Sequence, residues 1–128
     1  MNKARRKRIA SVISTLEDIT GYDVIESAKN ELKDILYEEE DAYDNMPENL
    51  QCSMRGEESS DAIDNLQEAV DILEEAIDAL NELYDLKEEY NNIENEEEKV
   101  EKESEIELKE DDIDNYIYNA VGSLEQII

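Results

Sequence analysis

The sequence predicts an all-α protein, an antiparallel bundle of three to four helices with coiled-coil-like heptad packing. Three observations carry this reading. Apolar residues recur three and four positions apart over most of the chain, which is the spacing of one helix face and not of a strand. Only three Gly and one Pro occur in 128 residues, too few turn-formers for an all-β fold. Phe and Trp are absent, so Leu, Ile, Val and Ala must build the interior, with Tyr supplying all seven aromatics. At this length a single domain over residues 1–128 with a modest core is expected.

The chain opens with a basic arm, residues 1–8, holding Lys3, Arg5, Arg6, Lys7 and Arg8 and no acid. Five bases on a short arm are a weak signal for nucleic acid or lipid. Neutralising the protein's own acidic surface is the simpler role. A first helical arm covers 9–43. Ile9, Val12, Ile13, Leu16 and Ile19 mark its first amphipathic stretch, and Ile25, Ala28, Leu32, Ile35 and Leu36 mark the second. Gly21-Tyr22-Asp23 interrupts it, because Gly is costly inside a helix and Asp can cap the next one. A break and a kink both fit. Residues 44–56 form a linker with a short helix. Pro47 suits that helix's first turn, Leu50 and Met54 its inward side, and Gly56 a left-handed stop. The helices on either side of this linker should run antiparallel.

Residues 57–93 form an acidic heptad helix. A core seam is expected at Ile63, Leu66, Val70, Leu73, Ile77, Leu80 and Tyr84. A second apolar line, Ala62, Ala69, Ile72, Ala76, Ala79, Leu83 and Leu86, widens the stripe enough for more than one neighbouring helix. The opposite face carries Glu57, Asp61, Asp64, Glu68, Asp71, Glu75, Asp78, Glu82, Asp85 and Glu89, a row of carboxylates with no base in it. Residues 94–112 hold 11 acids and three bases and fit either a helix extension or a mobile acidic linker. Ser104 with Glu107 reads as a capping box that opens the last helix, with Asp111-Asp112 as a second candidate start. Residues 113–128 form the C-terminal helix, with Ile113, Tyr116, Ile117, Ala120, Val121, Leu124 and Ile127 on one face. Gly122 is expected to permit close packing there. Spare apolar surface on the repeat or on this last helix is compatible with a homodimer.

Composition narrows the function. With 38 acidic and 12 basic residues the net charge is −26, which repels nucleic acid and anionic lipid. Direct nucleic-acid or membrane binding is therefore not expected, and partners should present basic surfaces. There is no His, and Cys52 is alone, which removes the usual nucleophile–base pairs, an internal disulfide and a Cys/His zinc site. Neither a Gly-rich phosphate loop nor an EF-hand loop occurs. No apolar run approaches membrane-spanning length, and none follows the basic start as a signal peptide would require. No catalytic residue, metal or cofactor is expected, and the simplest location is the cytoplasm. One pattern supports a minor enzymatic alternative: Glu-x-x-Asp at Glu68/Asp71, Glu75/Asp78 and Glu82/Asp85. Mg²⁺-dependent all-α nucleotide pyrophosphohydrolases hold their metal with similar spacings. Such sites need carboxylates converging inside a bundle, whereas these spread along an outer face.

The one-sided acid row has a cost. Like charges three or four apart on a helix destabilise by roughly 0.2–0.5 kcal/mol per pair, so the row costs about 2–4 kcal/mol before screening. A small domain has only about 5–15 kcal/mol of stability. A face kept this uniform is more readily explained by use than by solvation. Its spacing is suggestive too. Glu57 to Glu89 carries 13 acids and one Lys. At ~1.5 Å rise per residue that segment spans about 48 Å, or one net charge per ~4 Å. A DNA strand carries one charge per ~3.4 Å of axis.

The stretch Tyr37-Glu38-Glu39-Glu40-Asp41-Ala42-Tyr43-Asp44-Asn45-Met46-Pro47-Glu48-Asn49-Leu50-Gln51, then Arg55-Gly56-Glu57 and the Glu-Ala-Val/Ile-Asp repeat, resembles small acidic helical proteins of Gram-positive phages and mobile elements. The resemblance covers about residues 30–86, and its most specific part is Asp-Asn-Met-Pro-Glu. It implies a phage setting, in which some acidic helical proteins are anti-defence DNA mimics. The expected function is therefore a non-enzymatic inhibitor of a bacterial defence protein, anti-CRISPR or anti-restriction. It would occupy a basic nucleic-acid-binding surface through Asp64, Glu68, Asp71, Glu75, Asp78, Glu82, Asp85 and Glu89, with 94–112 as an added contact. Two other readings compete. One is a helical interaction or scaffold protein whose acid only confers solubility. The other is an inhibitor that acts as a wedge through Tyr43–Gly56.

Overall fold

The structure, a computed structural model, describes residues 1–18 and 21–128. It is all-helical, with five helices packed against each other: α1 (Lys3–Glu17), α2 (Ile25–Asp44), α3 (Glu48–Gln51), α4 (Met54–Asn92) and α5 (Glu96–Glu125). Helix α4 packs against both α2 and α5, and α1 completes the set by touching α2 and α5. Cross-helix pairs show the chain directions. Glu82 meets Lys109 and Glu89 meets Lys102, so α4 and α5 run oppositely. Ser59 at the start of α4 meets Glu39 near the end of α2 while Lys33 meets Glu74, so these two are also opposed.

The basic arm is part of α1. Asn2 caps it by accepting from the Arg5 backbone N–H at 2.8 Å, and Ile9, Val12, Ile13 and Leu16 are buried. Ile19 lies outside the described residues. Two of the five bases face α2: Arg5 bonds Glu39 at 2.8 Å, and Arg8 reaches Glu31 at 2.8 Å and Glu38. Helix α1 ends at Glu17 and α2 begins at Ile25, so the Gly21 region is a break between two helices. Asp23 does not cap α2. Val24 occupies that position without a side-chain bond.

The linker departs from expectation in detail. Pro47 sits just ahead of α3, and its carbonyl accepts from the Leu50 and Gln51 N–H groups. Leu50 is 39% exposed and Met54 78% exposed, so neither points inward. A four-residue helix has too little face to bury Leu50, Met54 belongs to the first turn of α4 and not to α3, and Gln51 instead folds back, donating to the Tyr43 carbonyl at 2.9 Å. Gly56 is not a left-handed stop. It lies in the first turn of α4, capped by Ser53, and is buried. A Cβ there would fall 2.1 Å from the Gln51 carbonyl oxygen, so Gly56 lets the end of α3 cross close over α4.

The buried side of α4 is Ala62, Leu66, Ala69, Val70, Leu73, Ala76, Ala79, Leu80 and Leu83. This shifts the seam from where side-chain size places it. Ile63, Ile72 and Ile77 are only partly buried and Tyr84 is 53% exposed, while the alanines are fully inside. Leu66, Val70, Leu73 and Leu80 of the expected seam are buried together with the alanines and Leu83 of the second line.

Helix α5 is continuous from Glu96, so the acidic 94–112 segment is helix along most of its length. Its cap is Asn95, which accepts from Glu97 N–H at 2.8 Å, and not Ser104. Ser104 lies mid-helix, its hydroxyl donating to the Val100 carbonyl at 3.3 Å. The chain reverses at Ile93–Asn95, which leaves no helix end near Ser104 to cap. Buried residues on α5 begin only at Ile113 and continue through Ile117, Ala120, Val121 and Leu124. Gly122 is exposed and, among the described residues, a Cβ there would meet nothing within 4 Å, so it does not serve close packing between them.

Candidate functional site

The surface opposite the α4 seam is built by helical geometry alone. With Ala62, Leu66, Ala69, Leu73, Ala76, Leu80 and Leu83 turned inward, positions offset by half a turn must face outward. Those positions are Asp64, Glu68, Asp71, Glu75, Asp78, Glu82, Asp85 and Glu89, and all eight are exposed. They lie along one side of a single 39-residue helix, so the helix itself sets their relative placement.

Within that row the eight are not equivalent. Two of the three toward the C-terminal end of α4 are engaged by α5: Glu82 accepts from Lys109 Nζ at 2.6 Å and Glu89 from Lys102 Nζ at 2.8 Å. Lys102 also meets Glu105 at 3.1 Å. These carboxylate bonds raise the pKa of both lysines, the Glu82 bond for Lys109 and the Glu89 bond followed by Glu105 for Lys102. Asp71 accepts from Gln67 at 2.9 Å, a neutral partner that leaves its charge in place. Among the described residues, Asp64, Glu68, Glu75, Asp78 and Asp85 form no ion pair. On the α2 side Lys33 pairs at 3.2 Å with Glu74, which lies beside the row.

Helix α5 broadens the acidic surface. A shallow groove of about 250 Å³ between α4 and α5 is lined by Glu75, Asp78 and Glu82 from one helix and Asp112 and Tyr116 from the other, with Lys109 between them. The surface is thus a band about two helices wide with Lys109 and Lys102 set into it. The Glu-x-x-Asp pairs spread along this open band, and among the described residues no three acidic or cysteine side chains converge closely enough to hold a metal ion. Cys52 is exposed. No helix is long and apolar enough to cross a membrane.

One acid behaves oppositely and was missed in the sequence. Glu39 is 1% exposed and lies among the core residues of α2. It accepts from Ser59 Oγ at 2.7 Å and Arg5 Nε at 2.8 Å, and the α-amino group of Met1 lies 3.2 Å away. Burial pushes its carboxyl up, but the bonds from Ser59 and Arg5 and the adjacent ammonium outweigh burial and hold it below the ordinary carboxylate value. The signal was available. Leu32, Ile35, Leu36 and Glu39 share one α2 face, so Glu39 continues an apolar stripe at helical spacing. Ser59 continues the α4 stripe three residues before Ala62 in the same way.

Comparison with known proteins adds no relative: no family model, curated protein or solved structure matches this chain.

Proposed function

We propose that this protein is a non-enzymatic inhibitor of a bacterial defence protein, of the anti-CRISPR or anti-restriction kind. It acts in the host cytoplasm by occupying a basic nucleic-acid-binding surface, and its resemblance to acidic helical proteins of phages and mobile elements supplies the setting. The observation that carries the reading is the outward row Asp64–Glu89, eight exposed carboxylates held on one rigid helix. Twenty-five residues of helix span about 38 Å, which places these carboxylates roughly 5 Å apart along the axis. That is within a factor of two of the ~3.4 Å charge spacing of a nucleic-acid strand. The acids of α5 beside the row narrow the gap. A surface evolved to bind phosphates through Lys and Arg meets a matching field and is steered onto it. No cofactor is required. The scaffold behind the row is read as an antiparallel bundle of the four long helices packed in heptads, with α3 as a connector.

The scaffold alternative has one observation in its favour. Lys109 and Lys102 already neutralise Glu82 and Glu89, as expected of a surface acid used to join helices. The unpaired members of the row, Asp64 to Asp78 and Asp85, are what that alternative leaves unexplained. Competition separates the two. A phosphate mimic displaces DNA or RNA from its basic target and weakens steeply between about 50 and 200 mM salt, as polyanion binding does. A scaffold contact made through apolar seams does neither.

A further inference from the structure

A groove of about 460 Å³ lies between α1 and α5, and none of the described residues lining it belongs to α4. Its floor is apolar: Leu16, Ile117 and Val121, all buried. Its rim is acidic on both sides, with Glu17 from α1 and Asp114 and Glu125 from α5, all exposed. Tyr118 forms one wall and is 78% exposed, and Gly122 leaves the space beside it open because, among the described residues, nothing lies within 4 Å of where its Cβ would be. The volume falls toward the lower end of the roughly 300–1,000 Å³ typical of ligand sites.

These features specify an occupant. An apolar floor ringed by carboxylates fits a side chain with an aliphatic stem and a cationic head, which buries the stem while the charge stays at the rim. An exposed tyrosine ring at the wall adds a face on which a guanidinium can stack. We infer that the α1–α5 groove is a docking site for a basic amphipathic helical segment of a partner protein, which seats a leucine or the stem of an arginine on Leu16, Ile117 and Val121 and sets its cations against Glu17, Asp114 and Glu125. The glycine at position 122 then has a purpose that intramolecular packing does not give it: a side chain there would occupy the space the partner fills. This site is separate from the acidic row and does not depend on phosphate mimicry.

The probe is a fluorescent peptide of about four helical turns, with Arg on one face and Leu on the other. It is titrated at about 0.15 M salt, where longer-range attraction to the net charge is largely screened. A control peptide keeps every Arg and replaces each Leu by Ala. Wild-type protein should bind the Leu peptide at least about tenfold more tightly than the control, since one buried leucine accounts for that much. Gly122→Leu, which fills the groove, and the double variant Glu17→Lys/Glu125→Lys at exposed positions should each weaken the Leu peptide by about tenfold or more. Circular dichroism confirms that each retains its helix. If Gly122→Leu fails to fold, the double variant alone decides the matter. Asp71→Lys/Asp78→Lys/Asp85→Lys should bind the peptide within about threefold of wild type. Unchanged binding in the groove variants overturns the inference, as does loss confined to the row variant. The latter result would leave the acidic row standing as a partner surface.

Discussion

Glu39 and Asp78 are chemically similar carboxylates put to opposite use. Glu39 is buried beneath α1 and satisfied by Ser59, Arg5 and the Met1 amine, so its charge is spent on holding α1, α2 and α4 together. Asp78 stands in the open on α4, between Glu75 and Glu82, with no ion-pair partner among the described residues. The first carboxylate is costly to remove because its donors would be left unpaired. The second raises the free energy of the fold by repelling its neighbours. A protein that carries many of the second kind on one face has stability to gain by changing them, and this contrast separates structural acid from the acid proposed to meet a partner.

The comparison can be broken most sharply at Glu39. Replacement by Ala should destabilise by about 3–5 kcal/mol, the usual result of leaving a buried charge unpaired, as read by chemical denaturation. A loss below about 1 kcal/mol would show that the cluster is solvated. Its pH dependence follows from the direction of the shift. The folded carboxyl lies below its ordinary value of 4.5, so its contribution is complete above that pH and is lost as pH falls through the lower folded value. The stability gap between wild type and Glu39→Gln should therefore shrink below about pH 4.5 and stay constant above it.

On the open face the sign reverses. Asp71→Lys/Asp78→Lys/Asp85→Lys turns like-charge neighbours into opposite-charge ones and should stabilise the fold by on the order of 1–3 kcal/mol at low salt, less at high salt. Destabilisation would mean that the row has intramolecular contacts not seen here. Ser59→Ala removes one donor from Glu39 and should cost about 1.5–3 kcal/mol at most, since Arg5 remains. The smallest effect belongs to Lys102→Ala/Lys109→Ala. Global stability should hardly move, but amide exchange over residues 96–108 should quicken, because that part of α5 sets only the partly buried Ile106 against the core, among the described residues, and is tied to α4 by these lysines.

The same physical distinction explains what was readable in the sequence. Helix α4 was legible almost to its ends because apolar and acidic residues alternate at three and four, so both faces report the same period. The exposure of Asp64 to Glu89 followed directly. The first half of α5 was not legible, because its local pattern offers only Val100, Ile106 and Leu108 for burial, and Val100 and Leu108 stay outside. What orders it is an Asn95 cap and two lysines that reach residues 13 and 27 positions away, which no local window contains. Of the expected seam, Leu66, Val70, Leu73 and Leu80 are buried, whereas Ile63 and Ile77 are partly buried and Tyr84 is exposed; the buried stripe is centred between the two expected lines and takes Ala62, Ala69, Ala76, Ala79 and Leu83 from the second. Glu39 has the spacing of a buried residue, but the donors that let a carboxylate stay inside come from α1 and α4, far away in sequence.

The central claim is that the row on α4 stands in for phosphates. The most direct measurement is displacement of a labelled DNA duplex from CRISPR effectors and restriction enzymes of Gram-positive hosts, with wild type and Asp71→Lys/Asp78→Lys/Asp85→Lys as competitors over a salt series. The account predicts that wild type displaces DNA from at least one of these effectors, that its affinity falls by orders of magnitude between about 50 and 200 mM salt, and that the triple variant, though more stable, loses displacement. Displacement retained by the triple variant, or absent for wild type at every salt concentration and effector, would contradict it.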